Sequence, residues 1–191
     1  EVLFDDNKKV KGVATGDMGV SRDGSAKDSW ESGMELHAKY TLFSEGTRGS
    51  LSKFLIENFN LSENSDYQKY AIGLKELWEI NEENFDDGLV EHSMGWPLSD
   101  ETKGGSFLYH FDKNLVSIGY VIHLNYTNPY VSPFDEFQQF KTHPSVKKVL
   151  KGGKRISYGA RAITTGGYQS VPKLYFPGGA IIGCSAGFLN Y

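Results

Sequence analysis

Alternating apolar and polar residues near the start of the chain predict short strands. The segment VLFDDNKKVKGVAT (residues 2–15) holds two β-prone runs around an Asp-Asn turn. The segment GMELHAKYTLFSEG (residues 33–46) alternates and then becomes continuously apolar at YTLF. We therefore predict hairpins followed by a buried strand.

The next segment predicts a strand, a glycine turn and a helix. In EGTRGSLSKFL (residues 45–55) two glycines precede a helical pattern with Leu51, Phe54, Leu55 and Phe59 on one face. Such a turn leaves backbone N–H groups at a helix N-terminus, where the helix dipole stabilises an anion. The alternative is that the glycines are there for steric reasons only.

The middle of the chain predicts an antiparallel sheet and two helices. Polar turns separate four β-prone runs, which are YAIGLKELWEI, LVEHSMGWPL, GSFLYHF and LVSIGYVIHLNY. Ser132 and Pro133 are typical of a helix start, and Pro144 predicts a second helix that ends at Gly152. We interpret both helices as surface elements. The glycine-rich remainder closes with a buried strand, AIIG.

Composition limits the chemistry that this chain can perform. Its 191 residues, 39% of them hydrophobic, can form one core or two smaller ones. The only cysteine, Cys184, excludes a metal or iron-sulfur site made of several thiolates of this chain. The five histidines lack metal-ligand spacing, and no Ser-His-Asp arrangement or GxSxG elbow can be assembled. We predict no catalytic side chain, no metal ligand and no membrane-spanning segment.

Charge is distributed unevenly along the chain. Residues 137–191 contain eight Lys and Arg and no acid, whereas residues 1–136 contain 12 cations and 24 acids, a formal charge of −12. Such blocks indicate an anionic partner, which could be a cofactor phosphate, an anionic lipid surface or nucleic acid. Equally, the two blocks could neutralise each other in the folded protein.

Two local segments are candidate binding elements. Gly104 and Gly105, after Lys103, could let the backbone approach a flat ligand, or they could form a β-bulge or tight turn. The segment GGYQSVPKLYFPGG (residues 166–179) could be a membrane-surface element or a buried loop. It combines aromatic and aliphatic residues with a cation, namely Tyr168, Val171, Lys173, Leu174, Tyr175 and Phe176.

Four blocks together resemble one protein family. They are YAIGLKELWEI, HSMGWPLSDETKGGSFLYH, NPYVSPFDEFQQFKTHPSVKKVLKGGKRISYGARA and GGYQSVPKLYFPGGAIIGCSAGFLN. In order and composition they are similar to the electron transfer flavoprotein-ubiquinone oxidoreductases, along nearly the whole chain. The resemblance implies a membrane-associated flavoprotein that accepts electrons from electron transfer flavoprotein and reduces ubiquinone, with FAD and a [4Fe-4S] cluster as cofactors.

The same resemblance implies a mixed α+β and α/β architecture. It combines an FAD-binding domain of the two-dinucleotide-binding-domain type with an inserted antiparallel-sheet domain for quinone. The chain has no GxGxxG fingerprint, too few cysteines for a cluster and no initiator Met, so we expect a central portion of such a protein. We assign residues 1–67 to the FAD domain, 68–167 to the quinone domain, and 168–191 to the return into the FAD domain.

The resemblance also carries over site residues. Gly104 and Gly105 match a glycine pair whose backbone binds a ubiquinone carbonyl oxygen, although Lys103 replaces the family's Tyr. For FAD, the matching positions are Glu45, Gly46 and Gly49 in one turn and Gly183 with Cys184 in another. Cys184 stands where related flavoproteins have Asp, so its contact is expected through the backbone.

Residues 166–185 match the family's membrane-surface segment, which includes the six residues of the GGYQSVPKLYFPGG segment named above. Peripheral attachment to the matrix face of the inner mitochondrial membrane, or to the cytoplasmic face of a bacterial inner membrane, is the implied location. Nucleic acid is then not an expected partner. Two alternatives stay open: a non-catalytic module that binds quinone and membrane, and a related FAD-dependent isoprenoid reductase.

Overall fold

The computed structural model describes residues 1–189 and divides the chain into two compact units. The first unit contains residues 1–68 and the chain from Gly166 onward, and the second contains Lys69–Thr165. In chain order the strands are β1 (Val2–Phe4), β2 (Val10–Ala14), β3 (Met18–Val20), β4 (Ala26–Glu31), β5 (Glu35–His37), β6 (Thr41–Phe43), β7 (Tyr70–Glu79), β8 (Val90–Met94), β9 (Gly104–Phe111), β10 (Leu115–His123), β11 (Lys154–Thr164), β12 (Tyr175–Phe176) and β13 (Gly179–Ile181). The helices are α1 (Ser50–Asn58), α2 (Pro133–Phe140) and α3 (Pro144–Leu150), and short 3₁₀ turns span Glu82–Asn84, Tyr168–Ser170 and Gly183–Ala186.

The second unit is built on a five-stranded antiparallel sheet in the order β11-β7-β10-β9-β8. The central strand β10 is buried along almost its whole length, and its residues Ile118, Tyr120 and Ile122 belong to the main core. Because residues directly opposite in an antiparallel pair share a face, these three line up with Leu108, Ser106 and Gly104 of β9 on one side of the sheet. The predicted antiparallel sheet is confirmed.

The helices α2 and α3 cover this side of the sheet. Phe137 and Phe140 of α2 and Val146 and Leu150 of α3 are buried in the core of the second unit. The interpretation of both helices as surface elements is therefore wrong for the face of each helix that packs on the sheet. The side chains on that face form part of the hydrophobic core. The predicted α2 start is confirmed, since the Ser132 hydroxyl accepts a hydrogen bond from the Asp135 N–H at 3.3 Å.

The first unit has its own, smaller core. Strands β1, β2 and β5 form one sheet, strands β12, β13 and β6 form another, and β3 with β4 forms a hairpin. Val10, Phe43, Leu55 and Ile181 are almost fully buried between these elements. In the second of these sheets β13 runs parallel to β6, with Ile181 opposite Phe43. This parallel pair places the chain after Phe43 and the chain after Ile181 at the same sheet edge.

The sequence pattern for α1 is largely confirmed. Leu55 is buried, Leu51 and Phe59 pack partly against the core, and Phe54 remains 45% exposed at the rim beside Phe4. No helix within residues 1–189 has the length and apolar character needed to cross a membrane.

Candidate functional site

The glycine pair at the start of β9 lies inside a regular ladder. Gly104 is opposite Ile122 and Gly105 is opposite Val121, with no shift of register along β9 and β10. The alternative of a β-bulge is therefore wrong. A Cβ atom on Gly104 would lie 2.5 Å from the Val121 carbonyl oxygen, and one on Gly105 would lie 2.6 Å from that of Ser93. Close backbone packing thus requires glycine at both positions.

Gly104 directs its backbone polar groups beyond the end of the ladder. Residues that bond to one neighbouring strand alternate along an antiparallel pair. The His123 N–H donates to the Lys103 carbonyl oxygen at 3.0 Å, so Lys103 and Gly105 bond to β10 while Gly104 faces the β8 side. The pairing of β8 with β9 ends at Met94 and Gly105, and within residues 1–189 no β8 residue is paired with Gly104. An N–H at such an edge can donate to a ligand carbonyl.

Two buried titratable groups flank the glycine pair. The Tyr120 hydroxyl donates to the Gly95 carbonyl oxygen at 2.9 Å, and burial, helped by the charge of Glu136, raises the pKa of this phenol to about 12. Burial, together with the nearby charges of Lys103 and Lys69, lowers the pKa of His123. Both groups are therefore uncharged at neutral pH and add no fixed charge beside Gly104. Sequence reasoning missed them because their burial depends on strand order.

The two turns predicted to contact FAD meet in the first unit. The Ser185 hydroxyl donates to the Gly46 carbonyl oxygen at 2.8 Å, and the Thr47 hydroxyl lies 3.2 Å from the Cys184 thiol. These turns follow β6 and β13, and crevices outside the carboxyl ends of parallel strands are the usual ligand sites of such sheets. Gly46 and Gly183 have φ angles of 80° and 64°, and a Cβ on either would meet open space. The arrangement leaves room for a ligand to approach the backbone.

Glu45 has a structural task in this turn. Its carboxylate accepts hydrogen bonds from the N–H groups of Leu51 and Ser52, at 3.2 and 2.6 Å, and from the Ser52 hydroxyl at 2.6 Å. The expected free N–H groups at the start of α1 are thus bound by the protein's own carboxylate. Gly49 packs directly against the Glu45 side chain, which explains the absence of a Cβ there. An added anion would compete with Glu45 for the same amides.

The predicted membrane-surface segment is only partly exposed. Tyr168 is 91% exposed and Tyr175 is 67% exposed, and the Lys173 ammonium lies 5.0 Å from the centre of the Tyr175 ring. The prediction for Phe176 needs correction, since it is 6% exposed and stacks on Phe59 with ring centres 5.0 Å apart. Leu174 packs partly against the same core, and Val171 is half-buried.

The basic block of residues 137–191 does not act as one surface. Seven of its eight cations lie in the second unit, and only Lys173 lies in the first. Lys141 and Arg155 bind the buried Glu76 carboxylate at 2.8 and 3.1 Å. For Lys141 and Arg155, the alternative that the basic and acidic blocks neutralise each other in the folded protein is therefore correct.

Polar side chains elsewhere in residues 1–189 form no metal site. Among residues 1–189 no group of three or more His, Cys, Asp and Glu side chains is arranged to hold a metal ion. The His110 ring accepts from the Asp86 N–H at 3.0 Å, and burial lowers its pKa, although Asp86 and Glu91 act in the opposite direction. This histidine is a packed core residue.

The chain is similar to known proteins in both sequence and structure. Residues 70–163 match the family described as ETF-QO, ubiquinone-binding. The chain is 56% identical to the mitochondrial electron transfer flavoprotein-ubiquinone oxidoreductase of Homo sapiens and 55% identical to the oxidoreductase of that name from Pseudomonas aeruginosa. All of the chain is covered in both cases, but only 31% and 35% of those relatives.

Solved structures show the fold. A geranylgeranyl bacteriochlorophyll reductase-like protein from Thermoplasma acidophilum superposes with a TM-score of 0.64 at 15% identity, covering 98% of this chain and 41% of that one. A triple mutant of the flavin-dependent brominase Bmp2 superposes with a TM-score of 0.58 at 14% identity, covering 99% and 43%. The predicted fold class is confirmed.

The sequence similarity extends beyond the sheet. The match to the ubiquinone-binding family coincides with the second unit. The alignment with the human relative covers the whole of this chain, so it also includes the two glycine turns of the first unit. The chain spans about a third of the length of the curated relatives that it matches. Within that third, the chain belongs to the electron transfer flavoprotein-ubiquinone oxidoreductase family.

Proposed function

We propose that this chain forms the ubiquinone-binding part, and a share of the FAD-binding part, of a flavoprotein that passes electrons from electron transfer flavoprotein to ubiquinone. The observation that carries the proposal is the position of Gly104, whose backbone groups point past the end of the β8–β9 pairing. A quinone carbonyl oxygen is a hydrogen-bond acceptor, and glycine lets it approach the amide closely. The glycine pair lies in the segment that matches the ubiquinone-binding family.

The two turns of the first unit fit a flavin. Gly46 and Gly183 offer open backbone, and Glu45, Gly49 and Cys184 support the turns around them. When bound, FAD would supply the redox chemistry, and the chain's own part would be to hold and orient it. A [4Fe-4S] cluster does not fit this chain, which has one cysteine where four thiolates are needed, and no step is assigned to it.

The protein's contribution to quinone reduction is positioning and control of the surroundings. The Gly104 amide would fix one carbonyl oxygen, and Tyr120 and His123 would be uncharged neighbours of that amide. The adjoining Leu98 side chain lies against Gly104 and limits access of water. No side chain of the described residues is assigned as a proton donor.

Peripheral membrane attachment completes the proposal. Tyr168 and Tyr175 are exposed aromatic residues next to Lys173, a pattern that suits the lipid interface, where rings enter the boundary and the ammonium stays among headgroups. Relatives are named as mitochondrial in Homo sapiens and occur also in Pseudomonas aeruginosa. We accordingly place the protein on the matrix face of the inner mitochondrial membrane or the cytoplasmic face of a bacterial inner membrane. The isoprenoid reductase alternative has support from fold alone and is not favoured.

The quinone site can be tested by NMR on the ¹⁵N-labelled protein with a short-tail ubiquinone. Saturable shifts of the Gly104 and Gly105 amide signals are expected. Gly104→Ala should abolish these shifts, because its methyl group would meet Leu98 and Val121. Gly73→Ala is the matched control, since a Cβ at Gly73 in the same sheet makes ordinary contacts at 3.7 Å.

The spectrum of the wild-type protein tests the quinone site even if the Gly104→Ala protein fails to fold. Saturable shifts confined to other parts of a folded protein, with the amides of Gly104 and Gly105 unmoved, would refute the site. Equal binding by folded Gly104→Ala and Gly73→Ala proteins would refute it as well.

The membrane role can be tested by sedimentation with vesicles of phosphatidylcholine alone and with added anionic lipid. Replacing Tyr168 and Tyr175 by Ser should reduce the vesicle-bound fraction severalfold. Tyr130→Ser is the control, since Tyr130 is 90% exposed but lies in the other unit. Equal loss in the control and the double variant would contradict the assignment of this segment.

A further inference from the structure

A half-enclosed cavity in the second unit lies apart from the residues assigned above. It has a volume of about 190 Å³ and is bounded by β8 and β9 on one side and by the helical segment from Phe140 to Val146 on the other. Neither Gly104 nor Gly105 lines it. Glu91 and Ser93 of β8 are opposite Leu108 and Ser106 of β9, so these four residues share the helix-covered face of the sheet.

The floor of the cavity carries a pair of hydroxyl groups. The Ser93 and Ser106 oxygens are 2.5 Å apart, and Ser106 is only 9% exposed. A hydroxyl pair uses one proton for its mutual bond and keeps one donor and free lone pairs for a third group. Such a pair gains from a ligand that can both donate and accept a hydrogen bond.

One part of the cavity wall is aromatic and aliphatic. The Trp96 and His143 rings are 5.3 Å apart at a tilt of 53°, and Leu108, Phe140 and Val146 complete the apolar lining. The His143 Nδ1 is held 2.8 Å from the Ser145 hydroxyl, which fixes the ring plane. A flat ligand ring can pack against such an aromatic pair in an offset or edge-to-face arrangement.

Volume and charge narrow the class of ligand. A cavity of about 150 Å³ is enough for benzene, so about 190 Å³ accommodates one small substituted ring. Among the lining residues of the described chain the only Asp, Glu, Lys or Arg is Glu91, whose carboxylate disfavours an anion. We propose that this cavity binds a neutral monocyclic phenol, with the ring beside Trp96 and the hydroxyl on the Ser93–Ser106 pair.

The probe for this site is p-cresol, followed through the indole N–H signal of Trp96 in ¹⁵N-labelled protein. Trp96→Phe identifies the signal. Saturable shifts of that signal are expected with p-cresol, and none with p-toluate at the same concentration. Ser93→Ala should weaken p-cresol binding about three- to tenfold, the usual value of one hydrogen bond. Ser157→Ala, in β11 of the same sheet, should leave it unchanged.

Three results would overturn the proposal. The Trp96 signal could stay unmoved by p-cresol in a folded protein, or it could respond equally to p-toluate. Displacement of p-cresol by a short-tail ubiquinone would make the cavity part of the quinone site, which contradicts a separate phenol site. Failure of ubiquinone to bind at Gly104, by contrast, would leave the phenol result standing, so the two proposals can fail independently.

Discussion

A buried carboxylate shows how single residues stabilise the second unit. Glu76 is 3% exposed and accepts hydrogen bonds from Lys141 at 2.8 and 2.9 Å, from Trp78 at 2.8 Å and from Arg155 at 3.1 Å. Lys141 is the C-cap residue directly after α2, while Glu76 and Trp78 lie in β7 and Arg155 in β11. The cluster therefore joins a helix to two strands.

Replacing Glu76 by Gln should lower the free energy of unfolding by about 3 kcal/mol, because it leaves the poorly exposed Lys141 ammonium without a counter-charge. Urea denaturation of both proteins at pH 7 measures the difference. Glu79→Gln is the matched control, as Glu79 is an exposed residue of the same strand and should change stability by less than about 0.5 kcal/mol. Similar losses in both variants would show that the cluster is not the cause.

The stability difference between wild type and Glu76→Gln should also depend on pH. Burial raises the pKa of Glu76, but hydrogen bonds from Lys141, Trp78 and Arg155 and the charge of Lys141 outweigh burial and lower it on balance. A carboxyl with a lowered folded pKa stabilises the protein fully above its unfolded pKa and loses that contribution as pH falls toward the folded pKa. The stability difference between wild type and Glu76→Gln should thus be constant near neutrality and shrink below about pH 4.5. The buried His110 and His123 affect both proteins alike and cancel.

Individual side chains were the part of the site that sequence predicted least well. Gly104 and Gly105 were assigned to quinone binding through the family resemblance, since the residues alone left a β-bulge or tight turn open. Phe176 was misassigned because its burial depends on Phe59 and Phe43, which are distant in sequence. The Glu76 cluster also unites residues 65 and 79 positions apart, and no local pattern marks such pairs.

At the scale of elements, the turn before α1 combines capping with a proposed cofactor contact. Glu45 binds two N–H groups and one hydroxyl at the helix start. Glu45→Ala should lower the free energy of unfolding by about 1 kcal/mol, the usual value of an N-terminal cap. Glu57→Ala, near the C-terminus of the same helix, should be neutral or slightly stabilising, because a carboxylate there opposes the helix dipole.

Thermal and urea unfolding of the two variants distinguish capping from other roles. A loss in Glu45→Ala no greater than in Glu57→Ala would mean that solvent replaces the cap without cost. A loss of FAD binding in Glu45→Ala with unchanged stability would instead favour a direct contact with the cofactor over capping.

Element types followed from sequence wherever local pattern and tertiary environment agreed. The first hairpin, α1, α2 and α3 and the central strands of the large sheet all carry a matching periodicity or cap. Strand β11 was missed, because its segment was interpreted only as part of a glycine-rich stretch, although Ile156, Tyr158, Ala160 and Ala162 occupy alternate positions. Its residues from Lys154 to Ala162 are exposed on an edge, and ten residue pairs with β7 impose its extended form.

At the scale of the whole chain, the two units differ in the number of chain segments that form them. The second unit is one continuous segment, and every residue of its core cluster, from Ile72 to Leu150, lies within it. The first unit is assembled from two segments, with Phe43 and Leu55 from one packing with Phe176 and Ile181 from the other. The sequence predicted an inserted domain from resemblance, whereas composition alone left one core or two equally open.

Residues 69–165 should therefore fold on their own. A segment of about 100 residues with a continuous antiparallel sheet, two helices and a closed core buries enough apolar surface for independent stability. Expressed alone, it should show the circular dichroism of a mixed helix and sheet protein and a single cooperative urea transition.

The matched comparison is a segment ending at residue 152, which lacks β11. In that segment Glu76 loses its hydrogen bond from Arg155, and the edge of β7 loses its pairing strand. That shorter segment should unfold at a lower urea concentration or fail to fold. A non-cooperative transition for 69–165 would show that the first unit is needed for its stability, and equal stability of the two segments would show that β11 contributes nothing.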